Sequence, residues 1–226
     1  MSLNTPVICI DGPSGSGKGT LARNLAEELG YAYMDSGALY RVVGFVASQR
    51  GVDWSDELGL EAIAASLDVS FEPIDDGVAV FHAGEDVSLP IRSVQGGEGA
   101  SAVAVFPKVR QALLERQREL AIAPGLIADG RDMGSVVFPY ADLKLFLEAS
   151  AQARAVRRQR QLQAQGDSVS LPRLLEAIEA RDAKDRNRSA SPLRPAEDAV
   201  VIDSTELSAD QVFERAMALI TSRGIV

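Results

Sequence analysis

Gly12-Pro13-Ser14-Gly15-Ser16-Gly17-Lys18-Gly19-Thr20 lies between the apolar run Pro6-Val7-Ile8-Cys9-Ile10 and the amphipathic stretch Thr20 to Leu29. A buried strand, a glycine-rich turn carrying a lysine, and a helix start make the context of a phosphate-binding loop. Glycines let backbone N–H groups wrap a phosphate, and the helix N-terminus adds a positive dipole. Lys18 can bridge the β- and γ-phosphates of ATP. The nine residues Gly12, Pro13, Ser14, Gly15, Ser16, Gly17, Lys18, Gly19 and Thr20 are therefore the candidate ATP cradle.

The rest of the chain repeats the alternation of strand and helix. Tyr31 to Met34, Leu126 to Ala128, Leu143 to Leu147 and Ala199 to Ile202 read as short buried strands. Helices are predicted over Gly37–Ser48, Lys108–Ile122, Ser150–Gln165, Leu171–Asn187 and Ala209–Ser222. This order implies a parallel, doubly wound sheet flanked by helices, a P-loop NTPase-type α/β fold. Between about Asp53 and Gly99 the pattern changes. Val69–Glu72 and Val78–Phe81 flank Asp75-Asp76-Gly77, a hairpin turn, and suggest a small α+β insert of antiparallel strands. Gly96, Gly97 and Gly99 read as a flexible return to the main body.

The 226 residues suffice for one well-buried domain with a small insert. A net charge of -9 argues against a nucleic-acid partner. One segment stands apart: Arg154 to Arg194 holds nine arginines and one lysine against five acids. Such a local excess points to a discrete anion site. The one cysteine, Cys9, sits in the first apolar run and reads as buried in a reducing compartment. The opening residues lack a signal-peptide pattern, and no apolar run approaches the roughly 20 residues of a membrane span. A cytoplasmic protein that touches no membrane is expected. His82, the one histidine, is expected to have no functional role. No apolar interface stripe is evident, which favours a monomer.

The loop departs from the general pattern in one place. Gly19 stands where a Ser or Thr usually follows the lysine and holds Mg²⁺, and Thr20 comes next. Mg²⁺ is then expected on phosphate oxygens and water, with Thr20 and Asp129 as possible contributors and no direct protein ligand assigned. The Gly-Lys-Gly-Thr form resembles nucleoside monophosphate kinases. No Asn-Lys-x-Asp motif reads a guanine. The strand over Leu126–Ala128 runs into Asp129-Gly130-Arg131-Asp132, without the Asp-Glu pair that activates water in P-loop ATPases.

Four blocks extend that likeness: the loop itself, Asp35-Ser36-Gly37-Ala38-Leu39-Tyr40-Arg41, Asp129-Gly130-Arg131-Asp132-Met133-Gly134, and Arg181-Asp182-Ala183-Lys184-Asp185-Arg186-Asn187-Arg188. Their order and spacing resemble the bacterial cytidylate kinases over essentially the whole chain. The resemblance implies transfer of the γ-phosphoryl group of ATP to CMP or dCMP. It also implies a core of residues 1–52 and 104–226, an NMP-binding insert over 53–103 and a short Arg-rich lid at about 155–170. By resemblance Ser36, Arg41, Ser101, Arg110, Arg131, Asp132, Arg181, Asp185 and Arg188 contact the acceptor, with Ser101, Arg110 and Asp132 choosing the base. Lys18, Arg131, Arg157 and Arg188 are the expected catalytic set, with Arg157 at the γ-phosphate. Arg154, Arg157, Arg158 and Arg160 read as lid arginines. Two rivals stay open: another P-loop small-molecule kinase with a UMP, AMP or shikimate-type acceptor, and a nucleotide-binding module that does not catalyse.

Overall fold

A computed structural model of the chain describes residues 5–74, 77–164, 166, 168–188 and 191–226. Strand β1 (Val7–Asp11) and helix α1 (Lys18–Leu29) flank the glycine-rich loop, followed by β2 (Ala32–Asp35) and α2 (Ser36–Arg50). Then come α3 (Glu57–Ala65), β3 (Val69–Ile74), β4 (Gly77–His82), β5 (Glu85–Asp86), α4 (Ser88–Arg92) and α5 (Val94–Val103). Next are α6 (Pro107–Glu119), β6 (Leu126–Gly130), a π-helical turn (Met133–Val137) and β7 (Leu143–Glu148). Helices α7 (Ala151–Ala164) and α8 (Leu171–Arg186), strand β8 (Val200–Asp203) and helix α9 (Ala209–Ser222) follow.

Five strands form one parallel sheet in the order β2-β6-β1-β7-β8. Every residue of β1 is buried, which is what a central parallel strand requires. Its side chains alternate between two cores. Val7 and Cys9 pack with Val42 and Val43 of α2 and Leu113 of α6. Ile8 and Ile10 pack with Leu21 and Leu25 of α1 and with Val212 and Ile220 of α9. Helices thus cover both faces, and the sheet is doubly wound as the alternation implies. The carboxyl ends of β1, β2, β6 and β7 open on one side, where ligands of such sheets collect.

Strands β3, β4 and β5 form a separate antiparallel sheet, with Val69 opposite His82 and Ile74 opposite Gly77. Asp75 and Asp76 of the expected turn lie outside the described residues. His82 Nδ1 is 2.9 Å from the Asp68 carbonyl oxygen, within this sheet and away from the glycine-rich loop.

The glycines at 96, 97 and 99 correct the sequence reading. They lie within helix α5, whose Ser93 cap accepts from Gly96 N at 3.0 Å. Gly96 and Gly99 allow close packing: a Cβ on Gly96 would overlap the Ile91 carbonyl. A Cβ on Gly44 of α2 would lie 3.0 Å from the Gly99 carbonyl carbon, and a Cβ on Gly99 would lie 2.9 Å from Trp54 Cζ2. The Trp54 indole N–H donates to the Gly44 carbonyl at 3.0 Å. Two helix backbones therefore cross in direct contact, and this contact sets where α5 holds Ser101. No helix among the described residues is long and apolar enough to cross a membrane.

Gly99→Ala is expected to overpack this crossing. Overpacking costs about 1–3 kcal/mol, offset by up to about 1 kcal/mol of helix propensity. A urea midpoint lowered by the equivalent of about 1 kcal/mol is the expected result; an unchanged midpoint would show that Trp54 yields freely.

Candidate functional site

Helix α1 begins at Lys18 after Gly17, which is left-handed (φ 94°) and gives its helix no side-chain cap. Its first N–H groups point into the loop, ready for an anion. Gly12 is needed at the loop's entry: a Cβ there would overlap the Leu147 carbonyl oxygen of β7. Gly19 is needed for a different reason. A Cβ at that position would press to 3.2 Å from Asp129 Oδ2. The Asp129 carboxylate crowds the place where most such loops carry a hydroxyl residue.

Asp129 is the fourth residue of β6 and is 5% exposed. Its Oδ1 lies 3.9 Å from Lys18 Nζ and has no hydrogen-bond partner among the described residues. Burial works against both charges of this pair, lowering the Lys18 ammonium and raising the Asp129 carboxyl. An orphaned carboxylate oxygen facing a phosphate loop suits a hard cation or its water. No cluster of three or more His, Cys, Asp or Glu exists among the described residues, so such an ion would need phosphate oxygens to complete its shell.

A cleft of about 180 Å³ opens beside the loop. Ser14, Lys18 and Asp129 form its loop side. Arg41 of α2, Arg131 after β6, Arg181 of α8 and Arg188 just beyond α8 line the same cleft. One buried acid organises them. Asp185 is 3% exposed, its Oδ2 accepts from Arg131 Nε at 3.1 Å, and its Oδ1 lies 2.6 Å from Arg188 Nη2. Arg188 reaches in from beyond the end of α8, so it belongs to the site without extending the helix. Arg131 pairs with Asp185, leaving Asp129 to Lys18.

Arg41 is tied to the insert: its Nη1 donates to the Ile91 carbonyl at 2.9 Å, and burial lowers its pKa. Burial, and then the nearby Arg131 charge, lower Arg181 to about 10. Its Nε has no partner among the described residues. These arginines outnumber their counter-charges, and the cleft is built to receive an anion.

At the far end of the cleft Arg110 and Asp132 form a close ion pair. The Arg110 guanidinium lies 5.7 Å from the Tyr40 ring centroid, and burial pushes the Tyr40 hydroxyl up to about 12. Ser101 lines the same wall and donates to the Gly97 carbonyl at 3.0 Å. Ser36 lines it too, but not as a helix cap. Asp35 caps α2, accepting from Ala38 N at 3.1 Å, while Ser36 Oγ donates to the buried Gln117 Oε1 at 2.6 Å. Sequence reading missed Gln117, whose partner lies 81 positions away. It also missed Asp11, which accepts from Met133 N and Gly134 N, each at 2.9 Å. That carboxylate holds the π-helical turn directly after Arg131 and Asp132, and burial pushes it up to about 6.

The lid arginines diverge. Arg157 lines a second, more apolar pocket beside Ser16, Gly17 and Thr20, with Leu21 and Leu147. It bonds the Ser204 carbonyl and lies 3.2 Å from Ser204 Oγ. Arg158 Nη1 donates to Gln161 at 2.8 Å near the surface. Arg154 faces neither pocket and is buried under the loop. Thr20 and Asp129, both expected near a metal, line different pockets.

The family model described as cytidylate kinase matches residues 8–222. The cytidylate kinase of Aliivibrio salmonicida is 54% identical over 223 residues, covering 99% of this chain and 100% of that protein. That of Pseudomonas savastanoi pv. phaseolicola is 56% identical over 227 residues, covering 100% and 99%. Among solved structures, an uncharacterized protein from Eubacterium ventriosum superposes with a TM-score of 0.51 at 13% identity, covering 96% of this chain and 99% of that one. At that identity the likeness is one of fold.

Arg181 gives a test of the charge imbalance. A cation lowered to about 10 opposes folding at every pH below that value, and the penalty fades only as pH rises beyond it. At neutral pH the penalty is fully present. Arg181→Met should therefore melt no lower than the parent without ligand, yet gain less stability from added inorganic phosphate. A lower unliganded melting temperature would contradict this.

Proposed function

The chain belongs to the cytidylate kinase family, and on that premise we infer that it transfers the γ-phosphoryl group of ATP to CMP or dCMP, giving ADP and CDP or dCDP. One observation supports the reading best: a single cleft is lined both by Ser14 and Lys18 of the phosphate loop and by the Arg41, Arg131, Arg181 and Arg188 cluster. Two polyanions can meet there only if their repulsion is neutralised.

The donor's triphosphate lies along Gly12–Thr20, with Lys18 at the β- and γ-phosphates. The second pocket takes the adenosine end, which puts Arg157 beside the donor base instead of the γ-phosphate. The acceptor's α-phosphate sits among Arg41, Arg131 and Arg188. Its second pKa is near 6, so at neutral pH the attacking oxygen is already mostly anionic and needs no strong base. Arg131 and Arg188, held by Asp185, face the phosphoryl group in transit. Arg181 and Asp185 serve the acceptor's ribose and phosphate charge.

The base meets Asp132, Arg110 and Ser101. Cytosine presents an amino donor at position 4 and acceptors at N3 and O2, which suits a carboxylate beside a guanidinium. Uracil reverses the polarity at N3 and position 4, leaving these groups badly paired. The Arg110–Asp132 pair holds both groups in place before the base arrives.

Asp129, with its orphaned oxygen, would help hold Mg²⁺, which would supply charge neutralisation of the β- and γ-phosphates; Thr20 lines the other pocket. Residues 53–103 act as the acceptor-binding insert, and about 155–170 act as a lid; residues 165 and 167 of that span lie outside the described residues. One copy of the chain carries both sides of the cleft, so the reading needs no second copy.

A panel of acceptors tests the reading. CMP and dCMP should exceed UMP and AMP clearly in kcat/KM; a UMP or AMP preference would overturn the base assignment. Lys18→Ala and Arg131→Ala should each lower turnover by orders of magnitude. Full activity in Arg131→Ala would remove that residue from the reaction.

A further inference from the structure

Arg154, at the start of α7, is 2% exposed. A guanidinium buried so deeply must have its donors met and its charge balanced. Nε donates to the Ala149 carbonyl at 3.0 Å. Nη1 donates to the Ser14 carbonyl of the phosphate loop at 3.0 Å and to Asp182 Oδ1 at 3.0 Å. Nη2 donates to Asp182 Oδ2 at 2.5 Å. The methylenes run beneath Gly15, where an added Cβ would lie 3.4 Å from Arg154 Cβ and 3.9 Å from its Cδ. The crown of the loop rests on this side chain.

Asp182 is 5% exposed and stands one helical turn before Asp185 on α8. The two carboxylates serve different parts of the site: Asp185 lines the cleft, and Asp182 lies outside its lining, against Arg154. Asp182 grips the residue that seats the donor loop. Asp185 grips Arg131 and Arg188 of the acceptor cluster. A single turn of one helix thus links the side chain under the phosphate loop to the Arg131 and Arg188 pair.

We propose that Arg154 and Asp182 form a fixed strut that sets the separation and angle between the two phosphate sites, with Arg154 a positioning residue for phosphoryl transfer. The proposal rests on the two-sided reading of the cleft given above. Arg154 lies beneath the loop, so it acts through Ser14, Gly15 and Asp182. Transfer demands reacting atoms about 3–3.5 Å apart, and an error of about 1 Å costs about 100-fold in rate.

Asp182→Asn keeps the shape and one acceptor; Arg154→Lys keeps the charge and loses the fork. Full-length variants would be compared with the parent for kcat, for calorimetric binding of ATP alone and CMP alone, and for binding of adenosine and cytidine joined through a pentaphosphate. The expected result is a kcat lowered by up to about 100-fold, single nucleotides bound as tightly as by the parent, and the joined analogue weakened as strongly as turnover. The double variant should turn over no more slowly than the worse single one. If the analogue weakens only by the combined losses of the separate nucleotides, the pair serves stability alone and the proposal fails. Failure of both variants to fold would lead to the same conclusion. A parent chain that binds neither CMP nor the analogue would instead contradict the reading of the cleft.

Discussion

The arginine cluster around Asp185 is the interaction on which the site depends. Several guanidinium groups repel one another, and burial makes that repulsion costly. Asp185 offsets it by holding Arg131 on one oxygen and Arg188 on the other, while Arg181 keeps an unpartnered Nε among the described residues. The result is a cationic wall with too few anions of its own. A bound anion would supply the missing charge and relieve the electrostatic cost that this wall carries.

The glycine-rich loop meets a complementary constraint. It leaves the first N–H groups of α1 open to an anion and still makes room for a carboxylate. Gly12 admits the Leu147 carbonyl, and Gly19 admits Asp129. The second of these explains the departure from the usual lysine-hydroxyl pattern. A side chain at position 19 would crowd Asp129, whose carboxylate lies 3.9 Å from the Lys18 ammonium.

What could be read from the sequence was local. The run Val7–Ile10 announces a buried strand because every residue is apolar, and the glycine spacing after it allows few other interpretations. The parallel sheet followed from alternation alone. What escaped was set by contacts distant in sequence. Gly96, Gly97 and Gly99 look like a flexible joint until Gly44 and Trp54, about fifty positions earlier, give Gly99 a packing role. The π-helical turn after Asp132 is held by Asp11, 122 positions away. Arg154, Arg157 and Arg158 share one stretch of helix and one composition, yet go to the loop, to Ser204 and to the surface. The residue types of the site could be read, since phosphate chemistry calls for arginines and glycines. Their division of labour could not, because it depends on which partners the fold brings near.

The account holds that donor and acceptor occupy facing walls of one cleft and that the phosphoryl group passes directly between them. Stereochemistry at phosphorus reports this most directly. With ATP made chiral at the γ-phosphorus and CMP as acceptor, a single in-line displacement inverts the configuration in the CDP formed. Inversion is the result the account predicts. Retention, the mark of two successive displacements through a phosphorylated side chain, would contradict it.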